Sequence, residues 1–458
     1  MFKSRLLNWI SHILLMVGFF VMSGCARVDH KQSALDPKGL VSQNQYDVFI
    51  LSVWITIFLF TAVGGALLFV LWKYRARNAE DAKRVPAQSH GNPMIEAGLI
   101  LASFCILVIL AIPTLQGIVL LNRVPDPNDA ETLAKLNLER SQVEDALVVN
   151  VTGKRFFWVF EYPQYGFVTA NELVFPVGKA VRVNLRTEDV IHSFWLPKLA
   201  GKMDLIPGQE NFLWFIANKD KVLDGKTEKQ SMPTVHNGEM RSAIFRTQKF
   251  TDEFEAVGGL FYGQCAEYCG ASHAYMSFRA LAQTDEDFKA WTKKFQNAQN
   301  PNLAPKDFVE DQNYSKGDVV KYDAPEFGAN AKREYIATKD TNATPTANDW
   351  KPLNSDDYEH GKQLFSEYQC VQCHAINRTG IGAKGPNLTL YGIRTSLAAG
   401  WMRNNEESLA RWIKNSNEIK DGNLMWNGEG IDDDHPVRNL ENEDEKVNKI
   451  VKYLLGQK

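Results

Sequence analysis

The stretch Cys265-Ala-Glu-Tyr-Cys269-Gly-Ala-Ser-His273-Ala-Tyr-Met276 puts two thiols, an imidazole and a thioether within twelve residues. A further imidazole, His192, stands upstream in Asp189-Val-Ile-His192-Ser-Phe-Trp-Leu-Pro197. Around both, from 145 to 297, segments such as Leu147–Thr152, Phe156–Tyr162 and Ala180–Leu185 alternate apolar and polar residues and are rich in β-branched and aromatic types. Gly153, Pro163, Pro176, Gly178, Pro207 and Gly208 punctuate them, so the region reads as a small all-β sandwich or barrel, closed by an amphipathic helix at Asp285–Phe295. Soft thiolate and thioether donors combined with imidazole on such a scaffold suit copper. One Cys, two His and a Met would make a mononuclear electron carrier, and the second thiol goes beyond that need. Cys265 and Cys269 can both bridge two copper ions, leaving His192 and His273 as terminal ligands and Met276 and the Glu267 carbonyl as weak outer ones. Sharing one electron over two metals keeps reorganisation small. A Cys265–Cys269 disulfide, mononuclear copper and a two-Cys, two-His zinc site are the alternatives; zinc leaves Met276 unexplained.

A second redox signature lies downstream. In Cys370-Val-Gln-Cys373-His374 the spacing lets both thiols reach the vinyl groups on one edge of a haem while His374 falls under the iron, the pattern of covalent haem c attachment. Helical periodicity over Asp356–Tyr368 precedes it, Gly385-Pro-Asn-Leu388 follows, and Glu443–Leu455 carries Val447, Ile450, Val451 and Leu454 on one side. Residues 353–458 therefore resemble a class I cytochrome c, an all-α domain. The resemblance implies a second axial ligand further along, which is Met425, after the helix Ser408–Asn415; Met402 is its rival. Residues 298–352 are poor in large apolar side chains and read as a linker between the two domains.

The N-terminal part has another character. Residues 1–24 carry Lys3 and Arg5, an apolar run from Leu6 to Met22 and then Ser23-Gly24, which describes an export signal. Cys25 directly after it resembles a bacterial lipoprotein site, where the thiol takes a diacylglycerol, although Met22 stands where Leu is usual. A plain signal peptide or a further span is the alternative. Within 25–121, the runs at about 48–72 and 94–121 each reach the ~20 apolar residues that cross hydrocarbon. Lys73, Arg75, Arg77, Lys83 and Arg84 lie between them and place that loop in the cytoplasm, so the N-terminus and everything after Leu121 are expected outside. Glu96 is the only acidic residue in either run. It is either an interfacial carboxylate or part of a proton path.

Composition sets bounds. The 458 residues suit roughly three domains. Lys and Arg total 51 against 54 Asp and Glu, which leaves no basic surplus for a nucleic-acid partner.

Asp189–Pro197, Lys202-Met-Asp204-Leu-Ile-Pro-Gly208 and Tyr262–Gly270, together with the two-span hairpin, resemble subunit II of haem-copper cytochrome c oxidases over residues 40 to 295. The resemblance implies a multidomain, membrane-anchored chain with a cupredoxin-like sandwich and a dinuclear CuA centre on the residues just named. It also implies a partner subunit I, with other oxidase subunits, holding the oxygen-reducing site. Glu267 would offer its side chain to a magnesium ion shared with subunit I, and Glu96 matches a glutamate at the mouth of a proton channel. In Lys154-Arg-Phe156-Phe157-Trp158 the family usually places an exposed Trp over the copper. Here that position is Phe156, and Trp158 is the nearest indole; with their neighbours they are expected to form the electron-uptake contact for the fused haem domain. The chain departs from the family between Phe215 and Phe254, where a charged stretch with Lys219, Lys221, Lys226, Lys229 and His236 reads as a surface insertion.

A cytochrome fused behind a subunit II resembles the caa-type oxidases. The implied path runs from an external donor, a cytochrome or quinol-oxidising complex, to haem c, to CuA and to subunit I, which reduces oxygen to water with proton translocation. The location implied is the bacterial cytoplasmic membrane, held by lipid, with both redox domains on the periplasmic side. Neither span contains a His, so the oxygen site must lie on another chain. A stand-alone electron carrier or copper-delivery protein is the competing reading, and it needs neither two spans nor Glu96. A nitrous-oxide-reductase reading asks for more His than remain, and intact copper ligands exclude a quinol-oxidase subunit.

Overall fold

The computed structural model describes residues 32–83, 85, 91–222, 227–233, 251–257, 259–377, 384–427, 431 and 434–458. The signal segment and Cys25 lie outside them. The chain divides into two units, one made of residues up to 144 with 198–201, the other of 145–197 and 202–458.

In the first unit, α1 (Leu40–Lys73) and α2 (Pro93–Leu121) are each long and apolar enough to cross a membrane. Their large side chains are mostly exposed. α1 begins eight residues before the apolar run because Leu40–Asp47 continues the same helical path. The start of α2 is fixed by Asn92, whose Oδ1 accepts from the amides of Met94 and Ile95, and by Pro93 in the first turn, where its missing N–H costs nothing. Glu96 lies in that first turn and is exposed. A short helix, α3 (Ala130–Leu136), follows.

The second unit opens with the expected sandwich. One sheet has the order β3 (Phe167–Ala170), β2 (Phe157–Tyr162), β1 (Leu147–Lys154), β5 (Ala180–Thr187), β8 (Asn211–Ile216). The other runs β4 (Glu172–Pro176), β12 (Ser277–Gln283), β11 (Leu260–Cys265), β6 (His192–Trp195), β7 (Lys202–Leu205). Strand periodicity supplies the core: Trp158, Phe160 and Tyr162 of β2 turn inward, the first two against Phe194 and Phe278 of the facing sheet and Tyr162 against Phe167 and Trp291. The buried Tyr162 hydroxyl both donates to the Val174 carbonyl (2.9 Å) and accepts from its amide (2.8 Å), so no polar atom is orphaned there. The described part of the insertion holds a short helix, α4 (Lys219–Val222), and a hairpin of β9 (Thr227–Pro233) with β10 (Thr251–Val257). His236 lies outside the described residues. Helix α5 (Asp285–Gln299), capped by Thr284, buries Phe288 and Phe295, and Phe295 stacks on Phe167 at 4.9 Å.

The expectation of a linker over 298–352 is corrected. This stretch carries a four-stranded sheet, β13 (Lys306–Asp307), β14 (Val319–Asp323), β15 (Lys332–Ala337) and β16 (Trp350–Pro352), with its own core of Tyr314, Val320, Ala337 and Trp350. The Trp350 indole donates to the Ala343 carbonyl at 2.8 Å. The core of this stretch draws one buried residue from each of β14, β15 and β16 (Val320, Ala337, Trp350) and Tyr314 from outside the strands, set between long polar stretches, so average composition hides it.

The last part is helical: α6 (Asp356–Glu367), α7 (Cys370–Cys373), α8 (Glu406–Lys414), α9 (Ser416–Ile419), α10 (Leu424–Asn427) and α11 (Asp444–Leu455). Phe365, Leu409, Ile413, Val447, Ile450 and Val451 form its core, which matches the side of α11 read from the sequence.

Candidate metal centre and haem cavity

Three segments build the first site. β11 ends at Cys265, β6 starts at His192, and the loop 266–276 carries the rest. The loop is pinned at both ends, since the Cys265 amide donates to the Met276 carbonyl (2.8 Å) and the Ala266 amide to that of Ser193 (2.9 Å). Cys265 and Cys269 Sγ stand 3.8 Å apart as free thiols. His192 Nδ1 lies 3.8 Å from Cys265 Sγ, and His273 Nδ1 3.6 Å from Cys269 Sγ. Met276 Sδ is 3.8 Å from Cys269 Sγ, and the Cys265 thiol donates to the Glu267 carbonyl at 3.2 Å. All six residues expected at the metal thus converge. The Glu267 side chain points outward and is exposed.

His192 Nε2 is 2.8 Å from Asp189 Oδ1, which fixes the ring and turns Nδ1 toward the sulfurs, the usual role of a partner behind a metal-binding imidazole. Burial pushes the His192 imidazolium down, but Asp189 and the Cys265 sulfur outweigh it and the net direction is up. The hydrogen bond from Cys269 pulls Cys265 down to about 4, against burial, while the same bond and burial push Cys269 up. Binding of a cation favours the thiolate form of both sulfurs and releases their protons.

The second site is a cavity of about 560 Å³, within the range that holds cofactors. Cys370, Cys373, His374 and Met425 line it, with apolar walls from Leu388, Leu409 and Ile413. The His374 Nδ1–H donates to the Pro386 carbonyl at 2.8 Å, which leaves Nε2 free to ligate iron, and burial pushes its imidazolium down, keeping the ring neutral. Gly385 explains the motif after the histidine: a Cβ there would stand 2.7 Å from His374 Cε1. Burial raises the Cys370 thiol to about 12. Met402, 0% exposed, belongs to the helical core and is not on the cavity wall. Thiols, imidazole, thioether and volume fit a covalently held haem.

Sequence reasoning put Phe156 and its neighbours against the haem domain but missed that the sandwich forms a wall of its cavity. Lys154, Arg155, Phe156, Phe157 and Asp189 also line it. Phe156 is buried, its ring edge against Gly270 of the metal loop and Gly422 of the helical part. Tyr275 meets Trp401 edge to face at 4.8 Å, and Ser272 Oγ donates to the Asp421 carbonyl at 2.5 Å. The expectation of Trp158 as part of a contact surface is corrected: it is 0% exposed, inside the sandwich, with its ring 5.7 Å from Phe194 and 5.5 Å from Phe278. Residues 158, 160 and 162 share one face of β2, and the inward turn of Phe160 and Tyr162 carries Trp158 with it.

Known proteins resemble this chain in both the β-sandwich region and the helical part. The family described as cytochrome c oxidase subunit II, periplasmic domain, matches residues 167–236, and the cytochrome c family matches 358–458. A cytochrome c oxidase subunit 2 of Alkalihalophilus pseudofirmus is 29% identical, the match covering 88% of this chain and 87% of the relative. One of Bacillus subtilis is 28% identical, covering 91% and 92%. A crystal structure of the periplasmic domain of subunit II of cytochrome oxidase of Bradyrhizobium japonicum is 30% identical, covers 33% of this chain and 93% of that one, and has a TM-score of 0.24.

Proposed function

Because this chain belongs to the cytochrome c oxidase subunit II family and carries a cytochrome c domain, we propose that it receives electrons from an external donor at a covalent haem c. It passes them through a dinuclear CuA centre to subunit I, where oxygen is reduced to water with proton translocation. The observation that carries this is the position of Phe156, which lies in the wall of the haem cavity and against Gly270 of the metal loop at once. Bound in these sites, haem c and the copper pair would each take up and release one electron at a time.

The chain's own residues do the rest. Cys370 and Cys373 would hold the haem, with His374 and Met425 as axial ligands. Cys265, Cys269, His192, His273, Met276 and the Glu267 carbonyl would hold two coppers. Asp189 keeps His192 in its ligating tautomer. Burial of His192, Cys265, Cys269 and Met276 keeps water off the metal and reorganisation low. The outward Glu267 carboxylate is free to share a magnesium ion with subunit I, and Glu96, at the cytoplasmic end of α2, is proposed to open a proton path. The two apolar helices anchor the chain in the bacterial cytoplasmic membrane, with both redox domains periplasmic and Cys25 lipidated as the first mature residue. The proposed domain bounds are 25–121 for the anchor, 145–297 for the cupredoxin and 353–458 for the cytochrome.

Rapid mixing of the pre-reduced oxidase complex with oxygen tests the order of carriers. Haem c should be reoxidised in the native complex and remain reduced in Cys269→Ser. Equal reoxidation in both would overturn the proposal, since electrons would then bypass the copper.

A further inference from the structure

Two buried charges cross between the sandwich and the helical part in opposite directions. Glu172 lies on β4, at the edge of its sheet, and is 7% exposed. Its Oε1 accepts four hydrogen bonds from the other side: the Thr395 amide (2.9 Å) and hydroxyl (2.8 Å), and the Ser396 amide (3.0 Å) and hydroxyl (2.9 Å). Arg279 is paired in register with Glu172 on β12, and Arg394 immediately precedes the two donors. Both guanidiniums are buried and feel the Glu172 charge. In return Lys420, 2% exposed, donates from Nζ to the Phe156 carbonyl (2.5 Å) of the sandwich and to Ala398 O (3.3 Å) of its own part. No carboxylate among the described residues lies within ion-pair distance of it.

A carboxylate or ammonium taken out of water pays a large desolvation cost, and its return depends on donors and acceptors placed within tenths of an ångström. Such a pair adds little to affinity but penalises every other docking pose, because a shifted pose leaves the charge buried and unpaired. Apolar contacts such as Tyr275 with Trp401 supply attraction, and the loop at Gly400 lies directly on the β12 backbone at Phe278.

We infer that Glu172 and Lys420 are a reciprocal latch that holds the haem domain in one fixed pose on the copper domain, closing the surface over Phe156 to any soluble donor. The inference deepens the proposed function, in that it names what positions the two sites. Glu172 and Lys420 are positioning residues and not ligands of either centre, although Lys420 also lines the haem cavity and feels the Cys269 charge.

The test uses the full-length, cofactor-loaded chain with Glu172→Ala, Glu172→Gln and Lys420→Met, each first checked for intact haem and copper spectra. In Glu172→Ala, amide exchange at Thr395 and Ser396 should accelerate about tenfold or more, since their acceptor is gone. Flash-initiated transfer of one electron from ferrous haem to the oxidised copper pair should slow about tenfold or more, because the docked pose becomes a minor state. Soluble reduced cytochrome c should begin to reduce the copper centre directly. Thr395→Val with Ser396→Ala removes the two hydroxyl donors from the opposite side and should give a smaller change of the same sign, which keeps the test decisive if Glu172→Ala does not fold. Native exchange, native transfer and continued exclusion of soluble cytochrome c in all variants would overturn the latch. Protected amides in a wild-type chain that passes no electron from haem to copper would instead overturn the proposed function and leave the latch standing.

Discussion

At Cys265 and Cys269 the sulfurs stand 3.8 Å apart, each with its own imidazole Nδ1 beside it at 3.8 and 3.6 Å. That twofold arrangement suits two metals bridged by two thiolates better than one metal with a spare thiol. In the copper-loaded chain, electron paramagnetic resonance should show the unpaired electron shared over two nuclei, and Cys265→Ser should leave at best one copper with a four-line hyperfine pattern. A four-line pattern in the native chain would remove the dinuclear reading. The methionines separate in the same way, since Met425 is on the cavity wall and Met402 in the core. Met425→Leu should abolish the weak sulfur-to-iron band at the red edge of the ferric haem spectrum. Met402→Leu should keep that band and cost less than about 1.5 kcal/mol, as volume-conserving core swaps do. The convergence of these residues was legible because their chemistry is carried by residue type and short spacing. The role of Trp158 was not, because an aromatic on a strand is equally suited to a surface and a core, and only the strand's parity decides.

Elements were legible where the period was strong. The α11 face and the inward residues of β1 and β5 follow from it directly. The sheet of 306–352 was not, since two- to six-residue strands give too few repeats for a period to show. Helix α6 adds a feature no pattern announces: Glu359 is buried in the helical part with Asn354 Nδ2 at 3.3 Å and Lys362 at 3.8 Å. Burial pushes its carboxyl above the ordinary value, with Lys362 opposing. The folded chain therefore holds this proton more tightly than the unfolded one. Below the unfolded pKa both states are protonated and Glu359 costs nothing, whereas above the raised folded pKa its charge destabilises the fold. Glu359→Gln should accordingly raise the melting midpoint of the haem domain at pH 7 and leave it unchanged near pH 4. A gain of equal size at both pH values would mean that the carboxylate's burial is not the cause.

On the scale of the whole molecule, order of domains was readable, and of their docking only the side at Phe156 was. Anchor, copper and haem follow one another in the sequence, but Glu172 and Thr395 are separated by 223 positions and nothing local couples them. A flexible tether would give the haem an effective concentration of up to about millimolar, and cutting it would make haem-to-copper transfer depend on dilution. The structure replaces that tether with a folded sheet and a buried latch, so the consequence of a cut changes. A protease site placed in the turn between Thr341 and Asp349, ahead of β16, severs the chain while Glu172 and Lys420 stay in place. Both charges are shielded from solvent, which leaves salt little to screen. Transfer in the nicked chain should therefore keep its native rate on dilution and across moderate ionic strength, and slow only when the cut is combined with Glu172→Ala. A nicked but otherwise native chain whose transfer falls in proportion to dilution would show that the connection, and not the interface, holds the two centres together.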